Sequence, residues 1–217
     1  MTERIKKLCE NLRKNNMEAL YFEDSAAARD YLKRTLKKNA VITVGGSMTL
    51  NETGIRDLIA CGDYNFMDRS KEGITPEELL LTYKATVGGD YYFCSANALT
   101  EQGEIVNVDG IGNRVAANAF GSDKVYMIVG VNKIVKDLTE AFLRIKRTAA
   151  PKNSRRLGYD TPCAKTGICV SLMKGEDPAM TDGCDAPERI CRDYLIMTRQ
   201  KIKDRICVII INEELGY

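Results

Sequence analysis

The stretch Asp90–Gly121, DYYFCSANALTEQGEIVNVDGIGNRVAANAFG, concentrates groups that could do chemistry. Its carboxylates Glu101, Glu104 and Asp109 are candidate catalytic groups, as general base or nucleophile. Asn97, Thr100, Asn107, Asn113 and Arg114 stand among them, with glycines at 103, 110 and 112. An Arg beside amides suits a carboxylate or phosphate, so the expected ligand is a small anion. The apolar run Tyr91–Cys94 just before them reads as a buried strand. A polar, glycine-bearing loop after such a strand is where an open α/β sheet binds its ligand. The same residues also read as a polar hairpin turning at Gln102-Gly103, followed by a capped helix over Val115–Ala119.

Gly45, Gly46 and Ser47 form a second candidate, between an apolar strand at 40–44 and a helical stretch at 48–60 broken at Gly54. Glycines permit close backbone approach, and the N–H groups of a helix start attract anions. A plain helix cap by Ser47 is the other reading. The pattern is neither G-x-G-x-x-G nor a Walker A loop, so it implies no nucleotide.

Cys163-x5-Cys169-x14-Cys184-x6-Cys191 is the third. Four thiolates could hold a tetrahedral zinc or an iron–sulfur cluster. The spacing lacks the paired C-x2-C of common zinc sites, so free loop thiols remain open as well. Cys9, Cys61 and Cys94 sit singly within apolar patterns and read as small core residues.

The totals narrow the chemistry. The 217 residues contain no histidine. This removes Ser–His–Asp and Cys–His catalysis and imidazole metal ligation. Lys and Arg number 32 against 30 Asp and Glu, a net charge of +2, which argues against nucleic acid as partner. No apolar run approaches the ~20 residues of a membrane span, and no signal-type segment opens the chain. The expectation is a cytoplasmic protein with reduced thiols.

The elements that must position these groups alternate. Helical periodicity covers 2–14, with Ile5, Leu8, Cys9 and Leu12 on one face, then a strand at 18–22. A helix capped by Asp24 or Ser25 follows. Strands are expected at 40–44, 64–67, 91–94 and 124–129, and helices over about 75–87 and 138–149. Thr75-Pro76-Glu77-Glu78 reads as a capping box. Such alternation predicts a mainly parallel, Rossmann-like α/β sheet with helices on both faces. Strands 40–44, 91–94 and 125–129 should be neighbours ending at one edge. The expected organisation is one domain over 1–217: a β/α core to 150, an irregular cysteine-containing segment over 151–192, and a C-terminal strand pair over 193–217 returning to the core.

Several segments carry a resemblance. VGGSMTLNETG, SANALTEQGEIVNVDGIGNRVAA, VYMIVGVNKIV, AAPKNSRRL, TPCAKTGIC, CDAPERICR and NEELGY resemble the LUD-domain, or lactate-utilisation, family over nearly the whole chain. The resemblance implies a fold like the NagB/RpiA/CoA-transferase group. It implies a role in converting lactate to pyruvate beside iron–sulfur oxidoreductase partners. It points to the same residues, from Gly45–Ser47 through Asn97 to Arg114. In the cysteine-bearing members it resembles, a Cys-x2-Cys pair follows the KTG motif; here an insertion separates Cys169 from Cys184.

Function stays open between classes. One is an enzyme or enzyme subunit acting on a small carboxylate. Another is a non-catalytic ligand-binding or assembly subunit. A third, by fold analogy, is CoA-transferase-like acyl transfer with Glu101 or Glu104 as nucleophile. The cofactor is open beyond zinc or an iron–sulfur cluster at the cysteines, and a homo-oligomer is compatible with each class.

Overall fold

An unbroken apolar run such as ICVIII at 206–211 is suited to an interior position of a parallel sheet, between two strands and with both faces buried. That is where it lies in the computed structural model, which describes residues 1–174 and 178–217. Helix α1 (Glu3–Lys14) leads into strand β1 (Glu18–Phe22), and α2 (Ser25–Thr35) into β2 (Val41–Val44). Short helices α3 (Met48–Glu52) and α4 (Ile55–Ile59) precede β3 (Asn65–Met67); α5 (Pro76–Ala85) precedes β4 (Tyr91–Cys94). A hairpin of β5 (Ala98–Thr100) and β6 (Ile105–Asp109) is followed by α6 (Asn113–Ala119), β7 (Lys124–Gly130), a 3-10 turn (Val131–Lys133) and β8 (Ile134–Val135). A long helix runs as α7 (Leu138–Arg144), a π turn (Ile145–Ala149) and α8 (Ala150–Arg156). Then come α9 (Pro162–Thr166), α10 (Val170–Met173), β9 (Asp193–Met197) and β10 (Ile206–Ile211).

The main sheet is six-stranded and parallel, in the order β1-β10-β7-β4-β2-β3. Strand β10 shows how both faces are covered. Ile206, Val208 and Ile210 pack with Ile5, Leu8 and Leu12 of α1, while Cys207, Ile209 and Ile211 pack with Leu32 of α2 and Ile55 and Ile59 of α4. The expected neighbours β2, β4 and β7 are adjacent, with Thr43 opposite Tyr92 and Tyr92 opposite Val125. Local chemistry starts the helices. Thr2 accepts from the Ile5 N–H, Asp24 from the Ala27 N–H at 2.8 Å, and Thr75 with Glu78 forms the capping box around Pro76. Among the described residues no helix is long and apolar enough to cross a membrane.

A second, four-stranded sheet, β8-β5-β6-β9, lies against the first. Leu99, Ile105, Ile134 and Met197 face the α1 side of the core; Ala98, Val106, Val108 and Val135 face Ala141, Ile145 and Ala150 of the long helix. This sheet corrects the expected C-terminal strand pair. Strand β9 pairs with β6, and β10 inserts between β1 and β7. Every residue of β10 is buried, so both its edges and both its faces must be covered, whereas β9 is only partly buried. The linker between them docks on the end of α1 instead, with the N–H groups of Gln200 and Asp204 donating to the carbonyls of Asn15 and Asn16, both at 2.9 Å.

The helix expected to stop near residue 149 continues to Arg156. Pro151 has no N–H to give, and it follows directly on a π turn, where the hydrogen-bond ladder already skips a position. The segment expected to be irregular also holds α9, capped by Thr161 and closed by Gly167 at φ 83°, and the single turn of α10. Residues 175–177, within the insertion between Cys169 and Cys184, lie outside the described residues.

Gly130 ends β7 where the C-terminal segment crosses it. A Cβ there would lie 2.7 Å from the Glu213 carbonyl oxygen, the Leu215 nitrogen and Asn132 Oδ1. Two of those three atoms are backbone and cannot swing aside. Gly130→Ala should therefore destabilise the fold by about 1–3 kcal/mol in urea unfolding. It should also speed amide exchange at Val131, whose N–H donates to Glu213 O at 3.0 Å. Wild-type stability and exchange would show that the segment yields without cost.

Candidate functional site

Strands β2, β4 and β7 end at one edge of the sheet, and the residues after them floor a cleft of about 450 Å³. Gly46 and Ser47 follow β2, Ser95 and Asn97 follow β4, and Lys133 follows β7. The small sheet adds Asp109, Gly110, Asn113 and Arg114 at the end of β6. Arg69, Arg156 of α8, and Arg189 and Arg192 of the strap before β9 complete the walls with Tyr217. Six basic side chains thus border the cleft against two carboxylates, Asp109 and Glu188. That balance selects for anions.

Asp109 is spent on structure. Gly112, at φ 75°, occupies the N-cap of α6 and has no side chain to cap with. The Asp109 carboxylate does the capping from the strand end, accepting from the N–H groups of Arg114 at 2.7 Å and Val115 at 2.9 Å. It also pairs with the Arg114 guanidinium at 2.8 Å, the two side chains being 8 % and 13 % exposed. Arg114 further donates to Asn97 Oδ1 at 2.9 Å and Val108 O at 2.8 Å. Burial alone would push the guanidinium pKa down; Asp109 outweighs it and raises the value above the ordinary one. Arg114 therefore holds Asn97 and Asp109 in place at the wall, and most of its donors are already used.

Lys133 is the unusual group. It is 3 % exposed and has no ion pair among the described residues. Its Nζ donates to Thr49 Oγ1 at 2.8 Å and Ser95 Oγ at 2.9 Å. Both hydroxyls give their own protons to backbone carbonyls, Thr49 to Leu215 and Ser95 to Ile128. They can therefore only accept from Lys133. Burial, with added repulsion from Arg144 and Arg114, lowers the Lys133 pKa to about 7. A neutral amine has two N–H groups, both used here, and a lone pair left over at the cleft. Cys94, close by in the sheet, is the opposite case: burial pushes its thiol up to about 12, and it donates to Asn118 Oδ1 at 3.1 Å.

Of the residues expected from sequence, Gly46, Ser47, Asn97, Asp109, Gly110, Asn113 and Arg114 meet at the cleft. Ser47 caps α3 through the Leu50 N–H at 3.3 Å, and α3 is a single turn. Gly45 lies beneath, where a Cβ would sit 2.6 Å from Tyr92 Oη. Asn107 is buried behind the wall and accepts from the Asn97 N–H at 3.0 Å. Gly112 turns toward Asp193.

Glu101 and Glu104 stand apart from the cleft. The hairpin reverses between them and carries Thr100, Glu101, Gly103 and Glu104 away from the cleft, to the end that meets α1. There Glu101 accepts from Arg4 Nε at 2.6 Å, and its carbonyl from Asn11 at 2.8 Å. Glu104 accepts from Thr100 Oγ1 at 2.7 Å, and a Cβ on Gly103 would lie 3.1 Å from Leu12 N. Neither carboxylate borders the cleft.

The four late cysteines border one separate cavity of about 20 Å³. All are free thiols, with Cys163 Sγ 3.4 Å from Thr161 Oγ1 and Cys169 Sγ 3.3 Å from Ser171 Oγ. In this conformation no group of three or more Cys, His, Asp or Glu among the described residues is arranged to hold an ion.

Sequence reasoning passed over Lys133, Arg69, Arg156, Arg189, Arg192 and Tyr217. All but Arg69 lie in segments that carried the resemblance, VYMIVGVNKIV, AAPKNSRRL, CDAPERICR and NEELGY. Their signal was position within those motifs, not spacing.

The family model for the LUD domain matches residues 5–211. No curated protein matches the chain. Solved structures similar to it include a DUF162 family protein from Deinococcus radiodurans, at 11 % identity and TM-score 0.47, with 96 % of each chain covered.

Proposed function

The chain belongs to the LUD-domain family, and from that premise we propose that it is a lactate-utilisation-type protein whose cleft binds a small 2-hydroxy or 2-oxo carboxylate. The observation that carries this reading is a buried, uncompensated Lys133 in a cleft bordered by six basic side chains. The arginines hold the carboxylate. Neutral Lys133 accepts a proton from the 2-hydroxyl or the adjacent carbon, and the ammonium so formed is stabilised by the bound anion. Side chains do not carry hydride or electrons, so oxidation of lactate needs a cofactor or an iron–sulfur partner protein as acceptor. The size of the cleft fits that need. About 450 Å³ corresponds to roughly fifteen waters. A lactate ion displaces only a few, which leaves room for a second molecule.

Arg69 is the cleanest probe. It stacks 5.0 Å from the Tyr83 ring centroid, borders the cleft and has no carboxylate partner among the described residues. Arg69→Ala should weaken lactate or pyruvate binding, read by calorimetric titration, by the ~1.5–3 kcal/mol of a charged hydrogen bond, with stability unchanged. No binding of either acid to wild-type protein would reject the carboxylate assignment. Binding to wild type that Arg69→Ala leaves intact would reject this cleft.

A further inference from the structure

We propose that Cys163, Cys169, Cys184 and Cys191 form a tetrathiolate site for one zinc ion, and that the ion pins the strap forming one wall of the cleft. Three observations converge on it. First, four residues spread over almost thirty positions of chain border a single cavity. They come from α9, the start of α10, the strap and its exit toward β9. Second, the cavity has the right size. About 20 Å³ admits one guest, since a single water needs roughly 10–15 Å³ by the same measure. Third, a buried cation borders the cavity, with Asp182 as the one carboxylate residue among its described lining. Lys146 borders the cavity, is 4 % exposed, and donates only to neutral atoms, Ser171 Oγ and the Asp182 carbonyl. No carboxylate pairs with it among the described residues.

Metal binding would set negative charge beside Lys146. Four thiols release four protons and give a zinc tetrathiolate of net charge −2, with no redox change. Lys146 supplies one compensating charge. Arg189 supplies the other, since it already donates to the carbonyls of Cys191 at 2.9 Å and Cys184 at 3.2 Å. The sulfurs do not yet stand at ligating distance. Closure needs the thiols to leave their hydroxyl partners on Thr161 and Ser171 and turn inward. The link to the cleft is direct. Pro187, Glu188, Arg189 and Arg192 lie between or beside Cys184 and Cys191, and all border the larger cleft. Zinc would hold this strap by covalent-strength contacts, beside the backbone bond from Arg192 N–H to Asp109 O at 2.9 Å that ties its end to β6.

The test uses the full chain purified under reducing conditions. Elemental analysis should find one zinc per chain. Cobalt titrated into metal-free protein should give the absorption bands of a tetrahedral thiolate site at one equivalent. Cys184→Ser should lower zinc affinity by more than the roughly 10–100-fold that loss of an outer-shell partner costs. Cys61→Ser, at an exposed cysteine outside the group, should leave it unchanged. Zinc removal should speed amide exchange over 184–192 and leave β10 protected. Absence of tetrahedral cobalt bands in wild-type protein overturns the proposal, even if the serine variant fails to fold. So does an iron–sulfur spectrum, or a disulfide between two of the four in the reduced protein.

Discussion

Lys133→Met should be more stable than the wild type at neutral pH and below, and its advantage should vanish as pH rises. Lys133 has a pKa of about 7 in the fold against an ordinary 10.5. Between those values the unfolded chain carries a proton that the folded chain does not, so wild-type stability climbs with pH across that window. Below pH 7 both states hold the proton, and the full cost of burying the charge is present. At 1.36 kcal/mol per unit that cost is on the order of 4–5 kcal/mol, a large share of the ~5–15 kcal/mol that holds a domain together. Methionine removes it, less about 1–2 kcal/mol for hydrogen bonds lost at Thr49 and Ser95. Urea unfolding of both proteins between about pH 6 and 10 is the measurement, and parallel curves would refute the assignment. The same linkage governs the ligand. An anion in the cleft favours the ammonium, so binding above pH 7 takes up a proton and weakens by up to about tenfold per unit. In the methionine variant anion binding should be much weaker and flat with pH.

Asp109→Ala should be the most damaging single change at the cleft wall. It leaves the Arg114 guanidinium buried without its counter-charge, and it uncaps the N–H groups of Arg114 and Val115. Breaking a buried pair costs about 3–5 kcal/mol, and a lost cap adds about 1 kcal/mol. Replacing both partners, as Asp109→Ala with Arg114→Met, should cost less than the aspartate change alone, because no orphaned charge remains. A loss under about 1 kcal/mol for Asp109→Ala would mean that water reaches Arg114 freely. Loss of Arg114 should also loosen Asn97, whose Oδ1 it holds. Its effect on a ligand then comes through the shape of the wall.

What could be seen in the sequence was what is decided locally. EALYF, the box at Thr75–Glu78 and the break at Gly54 each carry their cause within a few residues, and β1, α5 and the α3–α4 junction appear where expected. The three central strands followed from alternation. The second sheet did not, because β5, β6, β8 and β9 are short and find one another across about a hundred residues. The π turn before Pro151 was hidden too, since proline reads as a stop unless the preceding ladder is known. At the cleft, Gly46, Ser47, Asn97, Asp109 and Arg114 were legible because each follows a strand. Lys133 was not, as a lone lysine in an apolar run reads as an outward-facing strand residue. Glu101 and Glu104 looked equal to Asp109 until the hairpin separated the two ends of its own sequence.

The place of β10 has a consequence for how the chain reaches this fold. Among the described residues β1 pairs with β10 alone, and β7 also leans on β10, so β1 cannot join the main sheet until residues 206–211 have been made. Before that a nascent chain holds the four strands β7-β4-β2-β3 with an open apolar edge at β7, and β1 with no strand to dock on. Pairings of such wide sequence separation form slowly, and open edges of this kind invite association with other chains. The making of β10 thus sets when the main sheet can close. Removing it should leave a chain that stays on chaperones rather than one that folds with a strand missing, and a ribosome stalled before residue 206 should display β1 as protease-sensitive.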